Sequence, residues 1–558
     1  MKTVAAFLFL LLISFNNVSA QSLPDSVVKK IDSLFFKWSN TYSPGCTVGI
    51  VRNDSLIFSK GYGMANLEYD IPNAPATIYH MASVSKQFTA YSIVLLAKQG
   101  KLQLDDDIHK YLSWFPDVKE KITVRNLLNH TSGIRDQWQL LAISGTRLDD
   151  VITQDQIVKV LSKQQALNFK PGEKYSYSNS GFTMLAEIVK SVTGQTLRQF
   201  TDSAIFKPLG MTSTHFHDDY TEIEKNRSYS YDRKDSMHFT NSILSYSNAG
   251  ATSLFTNVND MSKWLINFYD TKVGDQKDIS TLTTHGILNS GKELSYAMGV
   301  ASDKYKGWRQ YSHDGGDAGY RTKVAVFPDL KMGFIVFSNL GDFNPDEKLY
   351  QMADLFIKDT VTKNETTKTE KKDSTAAILK DTSSIIKFLG YYIDESGLPC
   401  MFDIKDKKLY YHIYTENNIL VKEVKDTFSI LPAPEIKFAF SIKGKDTLAD
   451  IVTPNRTYNL KKYVRDTTQS DAVLKPYTGV YYCPELDCKY GIVLNEHHLE
   501  LTNNKYNNVK LTLVNKDHLI NDYWWINHFV MTRDSKGNIT GFEINSDRTM
   551  HLRFNKIE

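Results

Sequence analysis

A serine and a lysine three residues apart are the first residues in this sequence that could do chemistry. Ser83 and Lys86 are followed by apolar residues at helical spacing, which predicts a helix with both side chains on one face. A lysine in a partly dry pocket loses its proton more easily, or holds another base in its ionised form, and either route activates a hydroxyl. The pattern alone is weak, because a polar helix face also explains it. It occurs twice more, at Ser26/Lys29 and Ser384/Lys387.

Tyr177 and Asn179 form a second candidate group, in a turn-rich loop that leads into a predicted helix. A buried phenol beside an ammonium loses its proton more easily, so Tyr177 could take the proton of the serine and pass it to a leaving group. The Asn179 amide can donate and accept, so it could orient the lysine and a substrate amide. The same spacing recurs at Tyr246-Ser247-Asn248, and turn chemistry explains most such matches.

A third candidate is the stretch His313-Asp314-Gly315-Gly316, on a predicted strand. Glycine within a strand often marks the close approach of a ligand or another backbone. Beside the serine, this strand could supply a backbone N–H that forms an oxyanion hole together with the N–H of Ser83. A plain bulge that carries a hydrogen-bonded histidine is the other interpretation, and the strand taken alone favours it.

In combination the three motifs resemble the active-site layout of the penicillin-recognising serine hydrolases, whose order is Ser-x-x-Lys, Tyr-x-Asn and then a Lys/His-x-Gly strand. The surrounding residues are similar to the class C β-lactamase-related branch over roughly residues 25–355. The stretches that carry the resemblance are Ala82 to Thr89, Leu127 to Gly133, Pro171-Gly172, Tyr177 to Gly181 and His313 to Gly316.

The resemblance implies a role for each matching residue. Ser83 would be the nucleophile, Lys86 its activating partner and Tyr177 the general base and acid. Tyr177 is preferred to Tyr246, because only Tyr177 lies after the Pro-Gly turn and before the helix. The backbone N–H groups of Ser83 and Gly316 would form the oxyanion hole. The residues implied in substrate binding are Asn179, His313, Gly315 and Gly316.

One departure from the family pattern bears on the substrate. β-Lactamases usually carry lysine at the head of the third motif, where this chain has His313, and threonine where it has Asp314. A histidine is largely neutral near pH 7 and grips a carboxylate less well, and Asp314 adds negative charge. Both changes argue against efficient β-lactam hydrolysis. A histidine here is similar to D-aminopeptidases, at least one of which carries two C-terminal β-barrels.

The predicted elements agree with that fold. A helix and two strands are followed by a helical middle, by predicted strands at 296–301, 308–313, 320–327 and 332–338, and by a last helix. This order predicts an α/β sandwich of antiparallel sheet and helices with a helical subdomain. The chain has 558 residues, enough for two to four domains. Its 66 basic and 63 acidic residues leave a formal charge of +3, which does not suggest a nucleic-acid partner.

The predicted domains follow composition. Residues 1–20 read as a signal peptide, with an uncleaved anchor as the alternative, and 21–360 as the hydrolase domain. A polar linker over 361–384 precedes two small antiparallel β-barrel domains at 385–465 and 470–558, which share a weak repeat around Tyr392 and Tyr482. The mature protein is expected to be periplasmic or secreted, without a stable membrane span.

Other candidates are discounted at this stage. His215 and His217 could be drawn as a metal site, but adjacent loop residues are not expected to face one ion, and no partner cluster is evident. Trp524-Trp525 is assigned to core packing rather than to sugar stacking. Ala249 to Ser253 fits a pocket wall or a tight turn equally well. Cys483 and Cys488 are close enough for a local disulfide in an oxidising compartment.

The sequence therefore predicts an exported serine hydrolase that acts through an acyl-enzyme on a small peptide, amide or ester. The D-aminopeptidase, carboxypeptidase and esterase types rank first, with cell-wall material as one candidate source of substrate. No metal or organic cofactor is expected. The alternatives are a weak β-lactamase and a poorly catalytic penicillin-binding or sensor protein. The oligomeric state and the role of the two C-terminal domains are left open.

Overall fold

The computed structural model describes nearly all of the chain after the predicted signal peptide. The described residues are 23–360, 377–379, 381–397, 399–413, 416–431, 433, 435–464, 469–503 and 508–558. The predicted signal peptide and most of the predicted linker lie outside them. Within the described residues, every helix is too short or too polar to cross a membrane.

A six-stranded antiparallel sheet forms the centre of the first domain. Its strands are β1 (Cys46–Arg52), β2 (Ser55–Tyr62), β3 (Ala301–Tyr305), β4 (Trp308–Asp317), β5 (Tyr320–Phe327) and β6 (Met332–Ser338). They lie in the order β3-β4-β5-β6-β1-β2. Because helices cover both faces, β1 and β6 are almost wholly buried and read as continuous apolar runs rather than as alternating ones.

The helices are short and confirm the predicted helical middle. In chain order they are α1 (Asp25–Phe35), α2 (Lys86–Lys98), α3 (Val124–Leu128), α4 (Gln137–Ile143), α5 (Gln154–Leu161), α6 (Asn179–Thr193), α7 (Leu197–Thr201), α8 (Lys207–Leu209), α9 (Val258–Asn267), α10 (Gln276–Leu282), α11 (Pro345–Ala353) and α12 (Asp471–Leu474). Helix α9 packs on one face of the sheet, whereas α1 and α11 pack on the other. Helix α2 lies against α6, so the serine motif and the tyrosine motif begin neighbouring helices.

Two predicted boundaries differ from the structure. The strand predicted at 296–301 is wrong: Gly299 forms a tight turn with φ +71° against the carbonyl of Lys86, and β3 begins at Ala301. Ser83 lies in a 3₁₀ turn, Ala82–Ser85, and α2 itself begins at Lys86.

Short strands connect these elements in the first domain. They are Met64–Asn66, Ile71–Pro72, Tyr79–His80, Ile152–Thr153, His215–Phe216, Tyr231–Arg233, Phe239–Asn241, Tyr246–Ser247 and Leu254–Thr256. Three of them form a small sheet in which Leu254–Thr256 lies between Tyr79–His80 and His215–Phe216.

The remainder of the chain forms two closed eight-stranded antiparallel barrels, as the alternating strand pattern predicts. The strands of the first barrel are Gly390–Ile393, Pro399–Lys405, Lys408–Ile413, Glu416–Lys422, Thr427–Ile430, Lys437–Lys443, Asp446–Val452 and Thr457–Tyr463. Those of the second barrel are Gly479–Cys483, Cys488–Asn495, His498–Thr502, Val509–Asn515, His518–Ile520, His528–Arg533, Ile539–Ser546 and Thr549–Lys556.

The cysteine pair of the second barrel faces itself across a hairpin. Cys483 is the register partner of Cys488, and both are free thiols in the structure, as are Cys46 and Cys400.

Candidate active site

Ser83 and Lys86 meet at the start of α2, as the spacing predicts. The Lys86 ammonium nitrogen donates to Ser83 Oγ at 3.0 Å, to Asn179 Oδ1 at 2.8 Å and to the carbonyl of Ala251 at 2.8 Å. The side chain is fully buried. A lysine held by three acceptors can point its nitrogen in only one direction, so the serine hydroxyl has a fixed partner. The two other Ser-x-x-Lys serines, Ser26 and Ser384, are exposed.

Burial makes Lys86 an easily deprotonated amine. Loss of hydration lowers the pKa of Lys86 to about 7, while the carboxylates of Asp317 and Asp136 oppose the shift and the guanidinium of Arg548 adds to it. Near neutral pH a large share of the amine is therefore uncharged and able to accept a proton from Ser83.

Asn179 is fixed by a carboxylate that sequence reasoning missed. Asp136 Oδ2 accepts from the backbone N–H of Asn179 at 2.8 Å and from its side-chain Nδ2 at 2.9 Å. This leaves Oδ1 of Asn179 as the atom that faces Lys86. Asp136 is also the N-cap of α4, where its Oδ1 accepts from the N–H of Trp138. The capping position before a helix was the available sequence signal, but nothing in it indicated a neighbour 43 residues away.

Tyr177 lies where the second motif predicts, but its acidity differs from the expectation. Its ring centroid is 4.9 Å from the Lys86 nitrogen. Burial raises the pKa of Tyr177 well above its usual value, although interaction with the Ser83 side chain opposes the rise. The expectation of an easily ionised phenol is therefore not supported, because desolvation outweighs the neighbouring amine. In the resting site Tyr177 is a proton donor and Lys86 is the readily available base.

His313 faces the same cleft, with both ring nitrogens already engaged. Nδ1 donates to the carbonyl of Asp314 at 2.6 Å, and the hydroxyl of Tyr296 donates to Nε2 at 2.9 Å. Burial lowers the pKa of His313 to about 4, so the ring is neutral, as the sequence suggests. Tyr296, which no motif singled out, is the residue that completes this arrangement.

Gly315 lies against the backbone of the serine turn. A Cβ at Gly315 would be 2.3 Å from the carbonyl oxygen of Met81 and 3.0 Å from the nitrogen of Ser83. Only glycine allows this approach of β4 to the turn. Gly316, the next residue, has open space beside it. The strand therefore runs directly past the backbone N–H of Ser83, as an oxyanion hole requires.

The cleft in front of Ser83 is about 770 Å³ in volume and is walled on one side by the second barrel. Arg548, Asp547 and Trp524 come from barrel hairpins and contribute to the lining. The guanidinium of Arg548 lies 5.2 Å from the ring centroid of Tyr177. Trp524 is 42% exposed on this wall, whereas Trp525 is buried, so the prediction of core packing is right for only one of the pair. The sequence showed the barrels but not where they dock.

Two further candidates can now be placed. Ala249 to Ser253 contributes to the pocket, since the carbonyl of Ala251 holds Lys86 and Thr252 donates to the carboxylate of Asp317. Tyr246, the competing tyrosine, stacks on Trp138 with the ring centroids 4.8 Å apart. It lines the cleft but does not approach Lys86 as Tyr177 does.

This fold and this site belong together in known proteins. The family model described as Beta-lactamase matches residues 37–357, more than half of the chain. The chain therefore belongs to the Beta-lactamase family, and the fold predicted from the motifs is confirmed.

Individual relatives narrow the comparison. The chain is 32% identical over 313 residues to the putative penicillin-binding protein PbpX of Bacillus subtilis (strain 168), covering 55% of this chain and 74% of the relative. It is 30% identical over 303 residues to a D-aminopeptidase of Brucella anthropi, covering 54% and 57%. The octameric penicillin-binding protein homologue from Pyrococcus abyssi shares the fold, with a TM-score of 0.55, 22% identity and coverage of 78% and 100%. These relatives support a serine hydrolase of this family.

Proposed function

We propose that this chain is an exported serine hydrolase that acts through a covalent acyl-enzyme on small peptides, amides or esters. The D-aminopeptidase, carboxypeptidase and esterase types are the nearest descriptions. The observation that carries the proposal is the contact between Ser83 Oγ and the buried Lys86 amine, whose pKa is lowered to about 7, beside a protonated Tyr177. Export rests on the sequence alone, on the apolar run after Lys2 and the small residues before Gln21.

The acylation step follows from these protonation states. Neutral Lys86 accepts the proton of Ser83 while Oγ forms a bond to the carbonyl carbon of the substrate. The charge that develops on the carbonyl oxygen is met by the backbone N–H groups of Ser83 and Gly316. Tyr177 donates its proton to the leaving nitrogen or oxygen as that bond breaks, and the Lys86 ammonium restores the proton to Tyr177.

Deacylation reverses the same transfers with water in place of the leaving group. Water adds to the acyl carbon and gives a proton to the Tyr177–Lys86 pair, and Ser83 departs with a proton from that pair. The product is a free acid, and the three side chains return to their starting protonation states.

The cleft supports peptides, amides and esters over β-lactams. Both nitrogens of His313 are occupied by protein groups, so this residue offers no cation for the carboxylate of an antibiotic. Asp314 and Asp547 add negative charge to the lining. The D-aminopeptidase relative agrees with this ranking, whereas the penicillin-binding relative keeps acylation by penicillin as a result to be measured.

A fluorophosphonate serine probe followed by intact-protein mass spectrometry tests the proposal. The expected result is one adduct on the wild-type chain and none on Ser83→Ala. Ser384→Ala is the matched control, because this exposed serine has the same spacing to a lysine and should leave the adduct unchanged. Hydrolysis of D-amino acid amides, activated esters and benzylpenicillin then ranks the substrates.

Two outcomes would contradict the proposal. An adduct that persists on Ser83→Ala would place the reactive group elsewhere. A folded wild-type chain that takes no adduct and hydrolyses none of the three substrate classes would favour the poorly catalytic alternative.

A further inference from the structure

Two histidines and two glutamates meet at the outer edge of the small three-stranded sheet, away from the serine cleft. His215 and His217 are two residues apart along an extended segment, so both side chains lie on one face. Glu222 Oε2 lies 3.7 Å from His217 Nδ1 and 4.0 Å from His215 Nε2. Glu224 Oε2 lies 3.5 Å from the same His215 nitrogen. The expectation that these residues cannot face one point is therefore wrong, because residues i and i+2 of a strand share a face.

The imidazoles are buried without hydrogen-bond partners. His217 is only 2% exposed, and among the described residues neither of its ring nitrogens has a hydrogen-bond partner. His215 Nε2 is likewise buried and unpartnered. The His217 ring is fixed by stacking on Phe255, with the centroids 4.4 Å apart and the planes 7° from parallel. Leaving such nitrogens unpaired costs about 1–3 kcal/mol each unless something binds them.

The surrounding charges favour a cation. Glu222, Glu224 and Asp218 are the nearby carboxylates, and Arg198 and Arg227 are the nearby cations. Arg198 donates to both oxygens of Glu222 at 2.6 and 2.8 Å, which fixes the carboxylate plane and leaves Oε2 facing the histidines. Three carboxylates against two arginines leave the cluster with a net negative charge before any ion binds.

We propose that this cluster binds a zinc ion through His215 Nε2, His217 Nδ1 and Glu222 Oε2, with Glu224 completing the four-coordinate shell. Two imidazoles with carboxylates form a donor set that zinc prefers. Tetrahedral bonds of about 2.0–2.1 Å place neighbouring ligand atoms about 3.3 Å apart. The separations here are 3.5, 3.7 and 4.0 Å, so the cluster needs to contract by only a few tenths of an ångström.

The location predicts a structural role for the ion. His215–Phe216 is one edge of the small sheet, and Tyr79–His80, at the other edge, leads directly into the serine turn. Zinc would clamp residues 215–224 to the sheet that supports this turn. None of the proposed ligands touches Ser83, Lys86 or Tyr177, so removal of zinc should change stability rather than remove the nucleophile. This proposal and the proposed hydrolase activity can therefore fail separately.

The test is zinc binding to the full chain after treatment with EDTA and dialysis. Isothermal titration with Zn²⁺ should show one tight site, and the same additions should raise Tm. Co²⁺ in place of Zn²⁺ should give the intense visible bands of a four-coordinate site. A wild-type chain that binds no Zn²⁺, or whose Tm ignores it, would overturn the proposal.

Ligand variants identify the site. Glu222→Gln with Glu224→Gln changes half-buried side chains without altering their volume, so the chain should fold and its affinity for Zn²⁺ should fall by at least about ten-fold. His217→Asn should lose binding outright. His238→Asn is the matched control, since this exposed histidine also has an acidic partner, Asp235, but lies outside the cluster. Equal Zn²⁺ affinity in the control and in the folded ligand variants would contradict the assignment.

Discussion

The two C-terminal barrels have the same topology but different relations to the hydrolase domain. The second barrel shares one continuous hydrophobic cluster with the helical subdomain and the serine turn, from Leu474 to Phe554. The first barrel has a cluster of its own, from Leu379 to Leu460. A copy of a fold can thus be part of the active-site domain or an attachment to it, and the buried contacts decide which.

The polar contacts show the same contrast. Arg135, fully buried, donates to Glu485 of the second barrel at 2.6 Å, and the Glu485 side chain is only 6% exposed. The corresponding link to the first barrel joins Lys174 to Glu395 at 2.7 Å, with side chains 46% and 73% exposed. Burial makes an ion pair costly to break, whereas exposure to water makes it nearly dispensable.

The largest expected effect comes from breaking the buried pair. Glu485→Gln leaves the Arg135 guanidinium buried without its counter-charge and should lower the free energy of unfolding by about 3–5 kcal/mol. Urea unfolding of the full chain measures the loss.

The matched variant at the first barrel is Glu395→Gln. Because both partners are largely exposed, its effect should stay below about 1 kcal/mol. Equal losses for the two variants would remove the distinction between the barrels.

A smaller effect is expected at the paired asparagines. Asn168 donates to the carbonyl of Arg548 and accepts from the N–H of Met550, each at 2.8 Å, in a buried position. Asn168→Ala leaves both backbone groups unpaired and should cost about 1–3 kcal/mol. Asn455, which accepts from the N–H and hydroxyl of Ser295, is half-buried, so water can replace it. Asn455→Ala should be the milder change in thermal unfolding, and the reverse order would refute the comparison.

The third prediction concerns catalysis rather than stability. The Arg548 guanidinium lies over the Tyr177 ring and favours negative charge on that phenol during proton transfer. Arg548→Met should lower kcat/KM by roughly ten-fold, equivalent to about 1.4 kcal/mol. Arg553→Met, on the adjoining barrel strand and 62% exposed, should leave kcat/KM unchanged. If both variants behave as wild type, the second barrel is only a wall of the cleft.

The smallest effect is a shift in the pH profile. Since Lys86 must be neutral to accept a proton, kcat/KM should rise with pH and level off above the lysine pKa of about 7. The positive charge of Arg548 lowers that pKa, so Arg548→Met should move the rising limb to higher pH by a fraction of a unit. Profiles of the two chains on one neutral ester measure the shift, and a movement to lower pH would show that another group controls the limb.

The motif residues of the site were predictable because their geometry is local. Ser83 and Lys86 are joined by one turn of backbone, and Tyr177 and Asn179 by the start of one helix. Asp136, Tyr296 and Arg548 were not predicted, because each reaches the site through packing between segments far apart in sequence. The pKa of Tyr177 was misjudged for a related reason: the sequence shows a neighbouring amine but not the depth of burial.

The fold was predictable where patterns repeat. Alternating strands in two similar segments indicated two barrels, and the order of elements indicated the sandwich. The false strand at 296–301 has apolar residues typical of a strand, but Gly299 turns the chain against Lys86. The pairing of His217 with Glu222 could not be seen, because the intervening turn sets the approach.

The closure of the second barrel places a condition on the order of folding. Strand Thr549–Lys556 completes the ring by pairing with Gly479–Cys483, and the turn that enters this strand carries Arg548. The serine turn is made more than 400 residues earlier in synthesis. A ribosome must therefore finish the second barrel before the cleft acquires its last wall, and a chain released early would carry the nucleophile in an unfinished pocket.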